Sequence, residues 1–543
     1  MLHLALAFAL AQVTASPLPL LVTPAPSPPP TALPSPSPAP GTLQASPLQA
    51  NLYPSGLQKP PVVIAITNAS GEIAATLDAQ IATVQIDQLA HTVALQGTLA
   101  TGRATLHITD AGGASVDIPV RNAYDAGTIV PSTTLKLTGD PLDPVWLQTQ
   151  IAATMARATP AQPGLKPQFG TYALPPSLPP GAIAAVAVPV QLLGGDQYYD
   201  VNGTTNVSIQ NVAVASFSPP ALFYDDDPEK IEAAGVLYRG SVTASRPTRL
   251  YYYHENGEDP RDLLLVLSSD SQDPTSVQLI DSTAGPNADV LSVGHAVTKN
   301  FLLTKPQNEG VILDLPQGQP YVVHDLKMQR LDGVSGNVDL RILSGGNVTV
   351  TVLAVPPAAN GATPAPGQIV SYLSQPQLPG DGHHRTGVFA LTGEYATNTL
   401  AYSVGGADAF VRYGATTPQN LPASPAGHDY GDYGVLRSLV FDANNPSGQA
   451  ATLYLYETPQ GGVLRGSFLV DGTLHEVGCT RVPNRYMIAQ LPTLGPGERR
   501  TTTVLTMTDG GSNYPIEVGI TATPPQSAAP PITAPDGCFP ARF

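Results

Sequence analysis

Three consecutive aspartates stand in the segment YDDDPEKIEAAG, Tyr224 to Gly235, of a chain in which only 12% of residues are charged. Carboxylates this close can ligate a hard cation, share a proton or cap a helix. Local chemistry accounts for one of them. Asp227 precedes Pro228, and an Asp N-cap followed by Pro at the first helical position opens a short helix, DPEKIEAAG, which Gly235 ends. Asp225 and Asp226 are left over. The runs GVLYRGSVT (235–243) and RLYYYH (249–254) read as an antiparallel hairpin across ASRPT. That pairing would bring the segment ENGEDPRD beside the aspartates. Asp225, Asp226, Glu255, Glu258 and Asp259 would then meet at one end of a domain, with Asp262 nearby. Calcium takes six to eight oxygens from loops of this kind. The spacing is not that of an EF-hand, because Pro228 interrupts it and the glycine at the sixth position is missing. Lys230 and Arg261 can instead neutralise the patch. The sequence favours a capped helix beside a solvated acidic loop, with a calcium site as the alternative.

A second set of metal-type side chains lies in DGHHR (381–385) and GHDYGDY (427–433). Asp381, His383, His384, His428 and Asp429 are the residue types that hold zinc or a related metal. The sequence has no HExxH, no paired CxxC, no P-loop, no GxSxG and no dinucleotide fingerprint. It therefore points to no catalytic residue and requires no cofactor. The tyrosine runs RLYYYH and ATLYLYE alternate as strands do, so one face is either core or an exposed binding platform. Asn68, Asn202, Asn206 and Asn347 stand in N-x-S/T triplets, which matter only on a eukaryotic secretory route.

The elements that must position these residues follow from composition. Gly (50) and Pro (58) together make about a fifth of the 543 residues, which favours short strands and turns over long helices. The net charge of −16 argues against nucleic acid as a partner. The start, MLHLALAFALAQVTAS, reads as a signal peptide cleaved after Ala15, although its first residues carry no Lys or Arg. No later apolar run is long enough to span a membrane. Cys479 and Cys538 are the only cysteines, and in an exported protein they can pair.

Residues 16–49 are rich in Pro, Ser, Ala and Thr and read as a polyproline-type spacer. Period-two alternation in IATVQI, HTVALQG, RATLHITD and ASVDIPVRNA predicts a β-sandwich over 50–130. DPVWLQTQIAATMAR (143–157) is the best helix, with Asp143 as cap and Trp146, Ile151 and Met155 on its packing face. It sits in a Pro-rich connector, 131–182. A β-rich domain follows over 183–356, with a short helix at Ala288 to Leu303. A linker is expected at 357–367, a β-sandwich at 368–523 and a tail at 524–543. VDGT (470–473) is a type I′ hairpin signal. The expected class is all-β: serial Ig-like sandwiches joined by Pro-rich linkers, with few short helices.

Residues 50–130, through IATVQI, VALQG and GRATLHITDAGGASVDIPV, resemble the Ig-like N-terminal modules of bacterial pilus-formation and secretin-type proteins. The later units, through LFYDDDPEKIEAAGVLYRG, RLYYYHENG, DYGVL and YETPQGGVLRGSFLVDG, resemble uncharacterised secreted bacterial multi-domain β proteins. The likeness implies export and β-structure and carries no activity. The expected function is that of an exported, non-enzymatic protein meeting envelope or extracellular partners, in the periplasm, at the cell surface or outside the cell. The alternative is a secreted enzyme or an accessory module that binds polysaccharide or metal.

Overall fold

The structure, a computed structural model, describes residues 42–257, 259–381, 386–391, 397–415, 429, 431–528, 530–532 and 538. The signal-like start lies outside these residues, as do Glu258, His383, His384 and His428. The described chain is mostly β-strand, with three α-helices. It divides into two compact units. One runs to Tyr124 and includes Asp196–Tyr199; the other holds the rest.

The first unit is a sandwich of two four-stranded sheets. One orders Gln44–Ser46, Val62–Thr67, Thr92–Gly97 and Ala82–Asp87. The other orders Ala50–Leu52, Ser115–Asn122, Gly102–Asp110 and Ile73–Leu77. Alternation along the strands sends Val93, Leu95, Leu106, Ile108, Ile118 and Val120 into one core. The DAGG turn is locked by Asp110, whose carboxylate accepts the Ser70 and Ala114 N–H groups at 2.8 and 2.9 Å. Gly113 there sits at φ +84°, where a side chain would strain the backbone. Gln44–Ser46 is already a strand, so folded structure begins within the segment 16–49 expected to be a spacer.

In the second unit one sheet of eleven strands crosses the boundaries expected from sequence. Ser132–Thr138, from the expected connector, lies between Val201–Asn211 and Gly310–Leu315. Gly387–Ala390, from the expected third domain, pairs with Ala221–Asp225. Both segments are short and apolar on one face; Gly387–Ala390 extends the sheet at its end, and Ser132–Thr138 joins its two parts rather than starting a new sheet. A four-stranded sheet, Gly235–Val242, Val348–Val355, Arg261–Ser269 and Tyr321–Met328, packs on its middle. The core between them holds Phe223, Leu250, Tyr252, Leu265, Val338 and Val350.

Helix α1 is Pro144–Ala158, capped by Asp143, whose side chain accepts the Trp146 N–H at 2.8 Å. It buries Leu147, Ile151 and Met155. Helix α2 is Val290–Thr304 and buries Val290, Val293, Val297 and Phe301. Helix α3, Pro366–Leu373, begins inside the expected linker, with Pro366 in its first turn and Ile369 buried. Proline there starts a helix rather than breaking structure.

The last sandwich joins five strands, Thr397–Ser403, Arg437–Asn444, Arg499–Met507, Leu464–Val470 and Thr473–Thr480, to four others, Ala409–Tyr413, Ile516–Thr521, Tyr454–Pro459 and Tyr486–Gln490. The VDGT turn has positive φ at both Asp471 and Gly472, as a type I′ hairpin requires. Helix α2 wedges between this sandwich and the large sheet. A Cβ on Gly294 would come within 1.9 Å of Gly510 O, so only glycine permits that approach. The next residue, His295, bridges Asp509 (2.8 Å) and Glu476 (2.9 Å) of the sandwich.

Candidate functional site

The aspartate segment does not form the expected helix. Asp227–Pro228 is a cis peptide in a turn, after which Lys230–Ile231 forms a short strand pairing in parallel with Glu255 and Asn256. Ile231 thereby reaches the core. The expected hairpin is also absent. Gly235–Val242 and Thr248–Asn256 sit in opposite sheets, and ASRPT arches between the layers. Sheet against sheet buries both runs, whereas a hairpin would leave one of their faces in water.

The acidic side chains are consequently dispersed among different partners. Asp225 Oδ2 lies 3.0 Å from His254 Nε2, both fully buried, and His254 Nδ1 lies 2.9 Å from Pro228 O. Burial works against the His254 imidazolium, but the charge and hydrogen bond of Asp225 outweigh it, and its pKa is raised. Asp226 accepts the Tyr224 hydroxyl at 2.9 Å. Burial, helped by the charges of Glu229 and Asp225, pushes its carboxyl well above the usual range. Glu255 accepts the Tyr253 hydroxyl at 3.0 Å. Asp259 is 78% exposed and lies 3.7 Å from Arg261. Among the described residues no group of three or more His, Cys, Asp or Glu side chains has a metal-holding arrangement.

Two segments that the sequence treats as separate do meet here. The Asp381 N–H donates to Asp227 Oδ1 at 2.6 Å, and the Glu229 N–H donates to Asp381 Oδ2 at 3.0 Å. Asp429 is fully buried, and it and Asp226 lie beside one stack of rings, Tyr224 on Tyr251 (5.4 Å) and Tyr251 on Tyr433 (5.7 Å). Of the platform and core readings of RLYYYH, the structure takes the core on both faces: Leu250 and Tyr252 point into one cluster, Tyr251 and Tyr253 into another.

This arrangement makes a prediction. Thermal melts in EGTA and in millimolar calcium should coincide. Asp225→Ala should cost about 1–3 kcal/mol in both, because it strands the buried His254 nitrogen. A calcium-dependent rise in Tm that the variant abolishes would overturn this.

A different feature has the shape of a binding site. A cleft of about 1210 Å³ runs between α1, the end of α2 and the strands Gly310–Leu315, Thr275–Asn287 and Tyr321–Met328. Trp146, half-buried, and Tyr321 supply flat apolar surface on its walls. Gln150, Asn300 and Gln307 supply amides. His324 Nε2 lies 2.7 Å from Asp281 Oδ2, each side chain about a quarter exposed. Burial pulls the His324 imidazolium down, but the charge and hydrogen bond of Asp281 prevail against both burial and nearby Arg157, so its pKa is raised. Burial, with the Asp143 charge adding to it against a hydrogen bond from the Asp143 N–H, pushes the Glu309 carboxyl up to about 7. Sequence reasoning missed this cleft. Trp146 read as packing, which it also does, and Asp281, His324 and Arg157 share no motif because three distant segments bring them together.

The chain matches no protein-family model and no curated protein. Among solved structures it is similar to a tri-modular GH5 endo-β-1,4-glucanase from Bacillus licheniformis, with 12% identity, 31% of this chain, 38% of that chain and TM-score 0.15. It is similar to Drosophila N-cadherin EC1–4, with 14% identity, 32% and 50% coverage and TM-score 0.14. A third likeness is to carbohydrate-binding modules of the β-sandwich superfamily, with 10% identity, 59% and 99% coverage and TM-score 0.16. The aligned part spans half or less of the first two. Likeness at this level says nothing about ligand or partner.

Proposed function

We propose that the protein is an exported, non-enzymatic binding protein of the envelope or cell exterior, and that the cleft along α1 takes a segment of polysaccharide. The observation that carries this reading is the cleft itself. At about 1210 Å³ it exceeds the roughly 300–1,000 Å³ of small-molecule pockets. Its walls carry both flat rings, Trp146 and Tyr321, and planar amides, Gln150, Asn300 and Gln307. A sugar chain presents the matching surface, C–H faces for the rings and hydroxyls for the amides. The Cys479–Cys538 disulfide supports an oxidising compartment.

Trp146 is the only tryptophan, so intrinsic tryptophan fluorescence reports this cleft alone. A soluble polysaccharide that binds should shift its emission saturably. In affinity electrophoresis Trp146→Ala should bind at least about tenfold more weakly, the loss of one aromatic contact of roughly 1.4 kcal/mol or more. If no neutral or acidic polysaccharide shifts the emission of the folded protein, the reading fails.

A further inference from the structure

Resting on that reading of the cleft, we infer that its ligand is an acidic polysaccharide, with Arg157 binding a sugar carboxylate at the end of the cleft where the Asp281–His324 pair stands. The cleft is polarised. Asp143 and Arg157 occupy opposite ends of α1, about 20 Å apart at 1.5 Å per residue. Asp143 is engaged as helix cap, beside Glu309. At the other end the acids are matched. Asp281 is held by His324, and Asp325 lies 2.8 Å from Lys327. Arg157 is left over. It is exposed, makes no ion pair among the described residues, and its side chain donates only to Thr154 Oγ1, at 3.4 Å. In a chain of net charge −16, an unmatched guanidinium on a cleft wall is a specific electrostatic feature. Its planar fork fits a carboxylate, and a neutral sugar gains no such charge-assisted bond from it.

The neighbouring groups set a pH dependence of definite sign. His324 faces Asp281 and feels Arg157, and Asp325 and Glu309 line the same cleft. While protonated, His324 cancels Asp281, and below about 7 Glu309 is largely neutral. As pH rises, His324 loses its proton and exposes the Asp281 charge, and Glu309 ionises near 7. Both changes add negative charge. Affinity for an acidic chain must therefore fall as pH rises through neutrality, while affinity for a neutral chain has no such cause to fall.

The test compares polygalacturonate with its fully methyl-esterified form, read by Trp146 fluorescence on the full chain. Alginate and a neutral β-glucan are run alongside. Wild type should prefer a carboxylate form to the ester by roughly tenfold or more at pH 6, the scale of one charge-assisted hydrogen bond. That ratio should shrink as the pH is raised from 6 to 8. Arg157→Gln should abolish the preference at pH 6, and Arg157→Lys should keep part of it. Equal binding of acid and ester, or a preference that survives Arg157→Gln, overturns the inference. A neutral glucan that binds while both uronates fail also overturns it and leaves the polysaccharide reading standing. If nothing moves the fluorescence, both fall.

Discussion

Asp339→Asn is expected to destabilise the second unit by roughly 3–5 kcal/mol, the cost of breaking a buried ion pair from one side. Asp339 is fully buried. Its carboxylate takes Arg249 Nε at 2.6 Å and Lys305 Nζ at 2.6 Å. Arg249 stands directly opposite it in the neighbouring strand, and Lys305 follows the last turn of α2. Arg249 also donates to Gly434 O at 2.8 Å and lies over the Phe301 ring at 4.7 Å. One carboxylate thus ties together the large sheet, α2 and the loop that enters the last sandwich. Burial opposes its ionisation, but the two cations outweigh burial and hold its pKa below the ordinary value. The stabilisation is therefore present above the unfolded carboxyl range, near 3.9, and is lost as pH falls through the lower folded value. Asn in that place leaves two buried cations with no counter-charge. Urea melts followed by circular dichroism should show the loss at pH 7. The triple replacement Arg249→Met, Asp339→Leu, Lys305→Met should recover most of it, because no buried charge is then unmatched. Asp339→Asn melting within about 1 kcal/mol of wild type would show that the cations find other partners.

The same strand shows what the sequence can and cannot reveal. Period two in RLYYYH marks a strand, and it is one. Burial on both faces is not a local property, so the pattern could not show that Arg249 and His254 lose all water. Capping logic predicted α1 from Asp143 and Pro144 because caps are local. The same logic failed at Asp227–Pro228, where the chain prefers parallel pairing beside Glu255 and Asn256 and the burial of Ile231. Sandwich architecture was legible from alternation and turns. Domain boundaries were not, because the segments carrying Ser132–Thr138 and Gly387–Ala390 look the same whether they start a sheet or complete one. The acidic segment drew notice through adjacency in sequence. The cleft stayed hidden because its chemistry depends on adjacency in space between residues 157, 281 and 324.

Removing the disulfide should cost about as much as breaking the buried ion pair. Cys479 lies on Thr473–Thr480 of the last sandwich and Cys538 is buried against it, with Cα atoms 5.4 Å apart and a sequence separation of 59. Closing a loop of that length removes about 4 kcal/mol of unfolded-chain entropy in the polymer model. Besides the bond, backbone hydrogen bonds join the described part of the tail to the sandwich. Gly478 N–H donates to Pro530 O, Met487 N–H to Ser527 O, and Ser527 N–H to Arg485 O. Each contributes about 1 kcal/mol net, less than ordering the tail costs. The Cys479→Ser, Cys538→Ser variant should therefore lose stability and become sensitive to proteolysis between residues 524 and 543. Wild type under reductant should behave as the variant does, and the variant should not respond to reductant. This pattern bears on where the protein works. A chain whose last sandwich depends on this cross-link folds fully only where disulfides form, which is the compartment the binding proposal requires. A variant as stable as wild type would show that the tail holds by packing alone and would remove that support.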